Sequence, residues 1–181
     1  MGKIQIIIIY FILGCVFSAF AQNSTDIPVN QLMNNAIPEN AVAVSKSDGY
    51  NKLIKLDPDQ AFDEESIGGE FYIIDSMIIV FYGGKAEAPY KPSQLEETRA
   101  TLLEMGGMDT SHIHTDNYNK ISKLNNFKVL TSFIDNSTTS YYYLIADDRV
   151  SYLNFSITAK PEDQAKAKAL GESMLKNMRF K

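Results

Sequence analysis

The chain has 181 residues, with 17 Lys and Arg against 22 Asp and Glu, a net charge of -5 and a single cysteine. This balance argues against nucleic acid, whose binding depends on phosphate neutralisation, and against attachment to anionic lipid by charge alone. One cysteine leaves no internal disulfide and no multi-thiolate zinc site, so stability must come from an apolar core.

Residues 1–21 read as a signal peptide. Lys3 gives a short positive start, Ile4 to Phe17 is apolar apart from Gln5, and Ala19-Phe20-Ala21 has the small-x-small form of a cleavage site. Cleavage there makes Gln22 the first mature residue and places the domain outside the cytosol, periplasmic or secreted. A second fate stays open. Ile12-Leu13-Gly14-Cys15 has the form of a bacterial lipoprotein box, which would put a lipid on Cys15, although Val16, Phe17 and Phe20 carry the apolar run past it. That run is shorter than the roughly 20 residues a membrane span needs.

Residues 22–40 read as an irregular leader, in which Val29, Leu32, Met33 and Ala36 fall at spacings suited to one short helical face. Residues 41–181 then form a single domain. Ala41 to Lys46 and Tyr50 to Leu56 are predicted as strands around a Ser47-Asp48-Gly49 turn. Asp57, Asp59, Asp63, Glu64 and Glu65 make a solvated acidic loop. It is no EF-hand, since Phe62 and Gly68 stand where glycine and glutamate are required.

Phe71 to Ile74 and Met77 to Phe81 flank Asp75-Ser76 and are rich in Ile, Val and aromatics, which predicts a buried pair of strands at the centre of a sheet. Gly83-Gly84 is expected to end the pair. With Gly68-Gly69 and Gly106-Gly107 it reads as a turn, because none of these pairs has phosphate-loop spacing. Ser93-Gln94-Leu95-Glu96 is a capping box that starts a helix over Gln94 to Met105, with Leu95, Leu102 and Met105 toward the sheet.

Four further strands follow, at Thr110–Thr115, Asn126–Ile134, Tyr141–Ile145 and Val150–Ala159, with Tyr141, Tyr143 and Ile145 sharing a face. Pro161 opens a final helix along which Ala167, Leu170, Met174 and Met178 recur, and Lys176 and Arg179 suit its C-terminal dipole. This order predicts an α+β fold, an antiparallel β-sheet flanked by helices.

The closing pattern runs from Tyr141-Tyr-Tyr-Leu-Ile-Ala through Asp147-Asp-Arg-Val-Ser-Tyr-Leu-Asn-Phe-Ser to a helix ending Leu175-Lys-Asn-Met-Arg-Phe-Lys181. It resembles the end of PsbP-like domains, a group of extrinsic photosystem subunits, assembly factors and bacterial lipoproteins. The resemblance implies an α/β sandwich with accessory or binding duties. It supplies no catalytic residues.

Two histidines leave general bases scarce, and neither a G-x-S-x-G elbow nor an H-E-x-x-H helix is present. The one cluster with possible chemistry is His112-Ile113-His114-Thr115-Asp116. On a strand His112, His114 and Asp116 share a side and would offer two nitrogens and a carboxylate to zinc or copper, or else form a polar strand face. Tyr141, Tyr142, Tyr143, Tyr152 and Phe155 would either line a small-ligand cleft or serve as sheet packing. The sequence therefore predicts an exported, non-catalytic binding or accessory module with a protein partner and no resident cofactor. Two alternatives are a periplasmic immunity protein, meeting a basic toxin through the acidic loop, and a metal-dependent hydrolase using His112 and His114.

Overall fold

The computed structural model describes residues 24–58, 63–105, 119–133 and 138–181. In chain order these form β1 (Ser24–Asp26), a single helical turn α1 (Val29–Leu32), β2 (Met33–Asn34), β3 (Val42–Val44), α2 (Lys46–Leu56), β4 (Glu70–Ile74), β5 (Met77–Ala86) and α3 (Gln94–Met105). Then come β6 (Lys120–Leu124), β7 (Phe127–Phe133), β8 (Thr139–Ala146), β9 (Ser151–Thr158), a 3-10 turn (Pro161–Asp163), α4 (Gln164–Asn177) and β10 (Arg179–Phe180).

The main sheet is antiparallel throughout, in the order β3-β4-β5-β9-β8-β7-β6, with β1 beside the far half of β5 and β10 paired separately with β2. Helices cover both faces. Alternation along the strands sends Ile79, Phe81, Tyr142, Leu144, Leu153, Phe155 and Ile157 to the face covered by α1 and α4. Tyr141, Tyr143, Ile145 and Leu130 point the other way, under Leu95 and Leu102 of α3, and Phe71 and Ile78 lie under Leu53 and Leu56 of α2. The molecule is an α+β domain, a sheet flanked by helices.

The strands around Asp75-Ser76, the hairpins β7–β8–β9 and the last helix fall where the sequence puts them. Asp75 takes the left-handed conformation that a tight connection needs, with φ 52°. Beyond α4, Arg179 donates to the carbonyls of Lys176, at 3.0 Å, and Met178, so its guanidinium satisfies backbone oxygens at the helix end.

Lys46–Leu56 is a helix, not the second half of a hairpin. Ser45 caps it, its hydroxyl accepting from the Asp48 amide at 3.1 Å and donating to the Asp48 carboxylate at 2.7 Å. Gly49, Leu53 and Leu56 then recur at helical spacing on the buried side. Gly49 is an interior helix residue chosen for closeness, since a Cβ there would collide with the Phe71 ring. Gly83-Gly84 likewise is no turn. β5 runs on through it to Ala86, held by β9 on one side and β1 on the other.

The segment expected as a leader is built into the domain. β1 pairs with Gly84–Ala86 of β5, while Val29, Leu32, Met33 and Ala36 all join the core over the sheet. The Val29 amide donates to the Glu70 carboxylate at 2.5 Å, and the Tyr72 hydroxyl donates to its other oxygen at 2.9 Å. At α3, the Ser93 hydroxyl donates to Glu97 at 2.8 Å, one residue beyond the expected capping-box partner Glu96.

Candidate functional site: a lysine-lined groove between the last helix and the sheet edge

β6 is an edge strand of the sheet, and a groove lies between it and α4. The β6–β7 hairpin closes through Asn125-Asn126, with Asn125 at φ 48°. Both side chains fasten this turn to the end of the chain. The Asn125 amide donates to the carbonyls of Lys176 at 3.3 Å and Met178 at 2.9 Å, and Asn126 exchanges two hydrogen bonds with Phe180. At the other end of α4, the Gln164 amide donates to the carbonyls of Thr138 at 2.7 Å and Ala159 at 3.1 Å. Pinned at both ends, α4 runs alongside β6 with a groove between them.

This groove encloses about 350 Å³ and is lined by Lys120, Ser122 and Leu124 of β6, Val129 and Thr131 of β7, Tyr142 of β8, and Lys168, Glu172, Leu175 and Lys176 of α4. The spacing of the last four puts them on one side of a helix, and the strand residues share a face by alternation. Three ammonium groups against one carboxylate give the groove a positive excess in a chain whose net charge is -5. Leu124, Val129 and Leu175 make it partly apolar.

Tyr142 forms part of its inner wall. The ring stacks on Phe155 with centroids 4.3 Å apart and an interplanar angle of 10°. Burial pushes its hydroxyl pKa up, the Glu172 charge pushes the same way, and a hydrogen bond with Ser140 opposes them. The phenol is therefore neutral at physiological pH and offers dipoles, not charge.

The five aromatics, read either as a small-ligand cleft or as sheet packing, do not converge on one cleft and pack on the two faces of the sheet. Tyr142 and Phe155 face α4, whereas Tyr141 and Tyr143 face α3, and Tyr152 lies on the α3 side with Tyr90, ring centroids 6.0 Å apart. Of the five, only Tyr142 reaches the groove. His112, His114 and Asp116, the candidate metal ligands, lie outside the described residues, as does the strand expected at Thr110–Thr115. Among the described residues no three His, Cys, Asp or Glu side chains come together as a metal site.

Part of the acidic loop is structural. Asp57 is buried and accepts from the Thr138 hydroxyl at 2.6 Å, closing α2 against the start of β8. Asp63 holds a local turn by accepting from the Ser66 amide at 2.9 Å, and that residue's hydrogen bonds lower its carboxyl pKa.

The groove escaped the sequence reading because its strand did. Lys120-Ile-Ser-Lys-Leu carries just two apolar residues, and the signal that could have marked it is Asn125-Asn126 between two strand-like runs. No helix among the described residues is long and apolar enough to cross a membrane. The chain matches no protein-family model, no curated protein and no solved structure.

Proposed function

We propose that the protein is an exported, non-catalytic binding module that acts through contact with a protein partner, and that the groove between α4 and β6–β7 is its contact site. The observation that carries this reading is the groove itself: a concavity of about 350 Å³ with apolar, hydroxyl and ammonium groups on facing elements. Ligand sites share that construction, a partly apolar hollow with a few polar groups fixed by rigid elements. Pinning by Asn125, Asn126 and Gln164 supports it further, because a preformed site loses less conformational entropy on binding. Export rests on residues 1–21, and the accessory role on the sequence resemblance of the closing segment to PsbP-like domains.

A photo-cross-linking residue at Ser122 tests the contact, with the same residue at Lys55, an exposed position on the helix covering the other face, as control. The expected result is one discrete adduct from position 122 in cells, identified by mass spectrometry, and none from position 55. No adduct from position 122, or equal adducts from both, overturns the assignment. Intact mass of the protein recovered from cells tests export: Gln22 or a lipidated Cys15 at the N-terminus supports it, and a chain still starting at Met1 refutes it.

A further inference from the structure

The arrangement of charge along the groove points to a particular ligand, and we infer that it takes an extended peptide segment with acidic side chains at its first and fifth positions and an apolar one at its third. This assignment rests on the binding-module reading.

The two walls of the groove run in the same direction. Gln164, at the start of α4, is tied to Thr138, next to the first residue of β8, while the carbonyl of Lys176 is tied to the β6–β7 turn. Lys120 pairs with Thr131 near the far end of β7, so it lies toward the Thr138 end. Lys120 and Lys168 therefore stand toward one end of the groove, and Lys176 beside Leu124 toward the other. Lys168 to Lys176 spans about 12 Å at 1.5 Å per helical residue. Lys120 to Leu124 spans about 13 Å at strand rise. The walls match in length, and so does an extended peptide, whose first and fifth residues are about 13 Å apart.

Side-chain alternation fixes the rest. In an extended segment residues one, three and five point to one side. With the first and fifth at the lysine ends, the third meets the middle, where Val129, paired with Ser122, and the Glu172 carboxylate lie, while Leu175 stands toward the Lys176 end. An apolar group fits there, and a carboxylate would face Glu172 in a partly desolvated space, where like charges cost most. The groove thus selects for spaced acidity, not for negative charge as such. The chain's net charge of -5 repels uniformly acidic ligands at longer range, which sharpens the distinction.

The test is fluorescence anisotropy with the whole folded protein and a labelled, end-capped peptide Glu-Ser-Leu-Ser-Glu. Saturable binding is expected to weaken at least tenfold with Lys176→Glu and with a Glu-Ser-Glu-Ser-Glu probe, and Glu172→Gln should remove most of that second penalty. Circular dichroism melting of each variant separates lost binding from lost folding. Equal binding of the two peptides, displacement by inorganic phosphate or free glutamate at the same concentration as by peptide, or indifference to Lys176→Glu overturns the inference. If position 122 cross-links a partner but the peptide does not bind, the ligand assignment fails and the module stands. If the peptide binds with the stated selectivity and no partner cross-links, the assignment stands and the protein-contact reading fails.

Discussion

The hydroxyl of Tyr142 occupies the space that a side chain at Gly171 would need. A Cβ built on Gly171 falls well inside contact distance of that oxygen and of Cζ. Glycine inside a helix normally costs up to about 1 kcal/mol relative to alanine. Here it lets α4 sit low enough over β8 for Tyr142 to wall the groove.

Gly171→Ala is accordingly expected to destabilise the domain by about 1–3 kcal/mol, the usual range for overpacking. In a Tyr142→Leu background, where the outer ring is gone, the same substitution should become neutral or stabilising. Urea midpoints of the four proteins in this cycle decide it, and additive effects would show that the two residues are not in conflict.

Gly83 makes the same point on β5. An added Cβ would lie 2.7 Å from Leu32 Cδ2, 2.8 Å from Leu153 Cδ1 and 2.9 Å from the Tyr152 carbonyl oxygen. Gly83→Ala should cost about 1–3 kcal/mol. It should also raise hydrogen exchange selectively in residues 27–36, because Leu32 is the neighbour most free to move away. Uniform protection loss across the domain would contradict this.

Asp57 tests the acidic segment. Asp57→Ala leaves the Thr138 hydroxyl without the acceptor it now uses, and should lower stability by about 1–3 kcal/mol. Adding Thr138→Val should recover part of that loss. Replacing a merely solvated acidic residue would change the unfolding free energy by a few tenths of a kcal/mol at most.

Asp148 gives the fold a dependence on acid. Burial raises its carboxyl pKa, but the amides of Ser151 and Val150, the Ser151 hydroxyl and the charge of Lys85 outweigh burial and hold it below the usual carboxylate value. A depressed folded-state pKa contributes stability above the unfolded value, near 3.9, and that contribution is lost as pH falls through the folded one. Asp148→Asn should therefore be less stable than the parent at pH 7, by a few tenths of a kcal/mol and at most about 1 kcal/mol because solvent screens this exposed carboxylate, and the gap should narrow below pH 4. A constant gap in chemical denaturation from pH 7 to pH 2.5 would exclude this account.

The sequence revealed the inner strands and hid what surrounds them. Phe71–Ile74, Met77–Phe81 and Tyr141–Ile145 are legible because burial demands apolar residues there, and the alternation of Tyr141, Tyr142 and Tyr143 between two helices follows from strand geometry. Lys46–Leu56 misleads because Ser47-Asp48-Gly49 has turn composition, yet Ser45 and Asp48 use it to start a helix and Gly49 serves Phe71. β6 is an edge strand with little apolar content, and three of the groove's charged residues lie on a helix some fifty residues away in sequence. No local pattern announces such a meeting, since it arises only when Asn125, Asn126 and Gln164 anchor α4.

The pairing of β2 with β10 joins Met33-Asn34 to Arg179-Phe180, and beside it the Lys181 amide and ammonium donate to the carbonyls of Leu32 at 3.1 Å and Asn30 at 2.6 Å. The fold is thus latched by a contact between residues 151 positions apart in the chain, Lys181 and Asn30. Bringing together segments so distant in sequence costs loop-closure entropy that local contacts do not, so this latch is expected to close after the sheet strands between its two halves have paired.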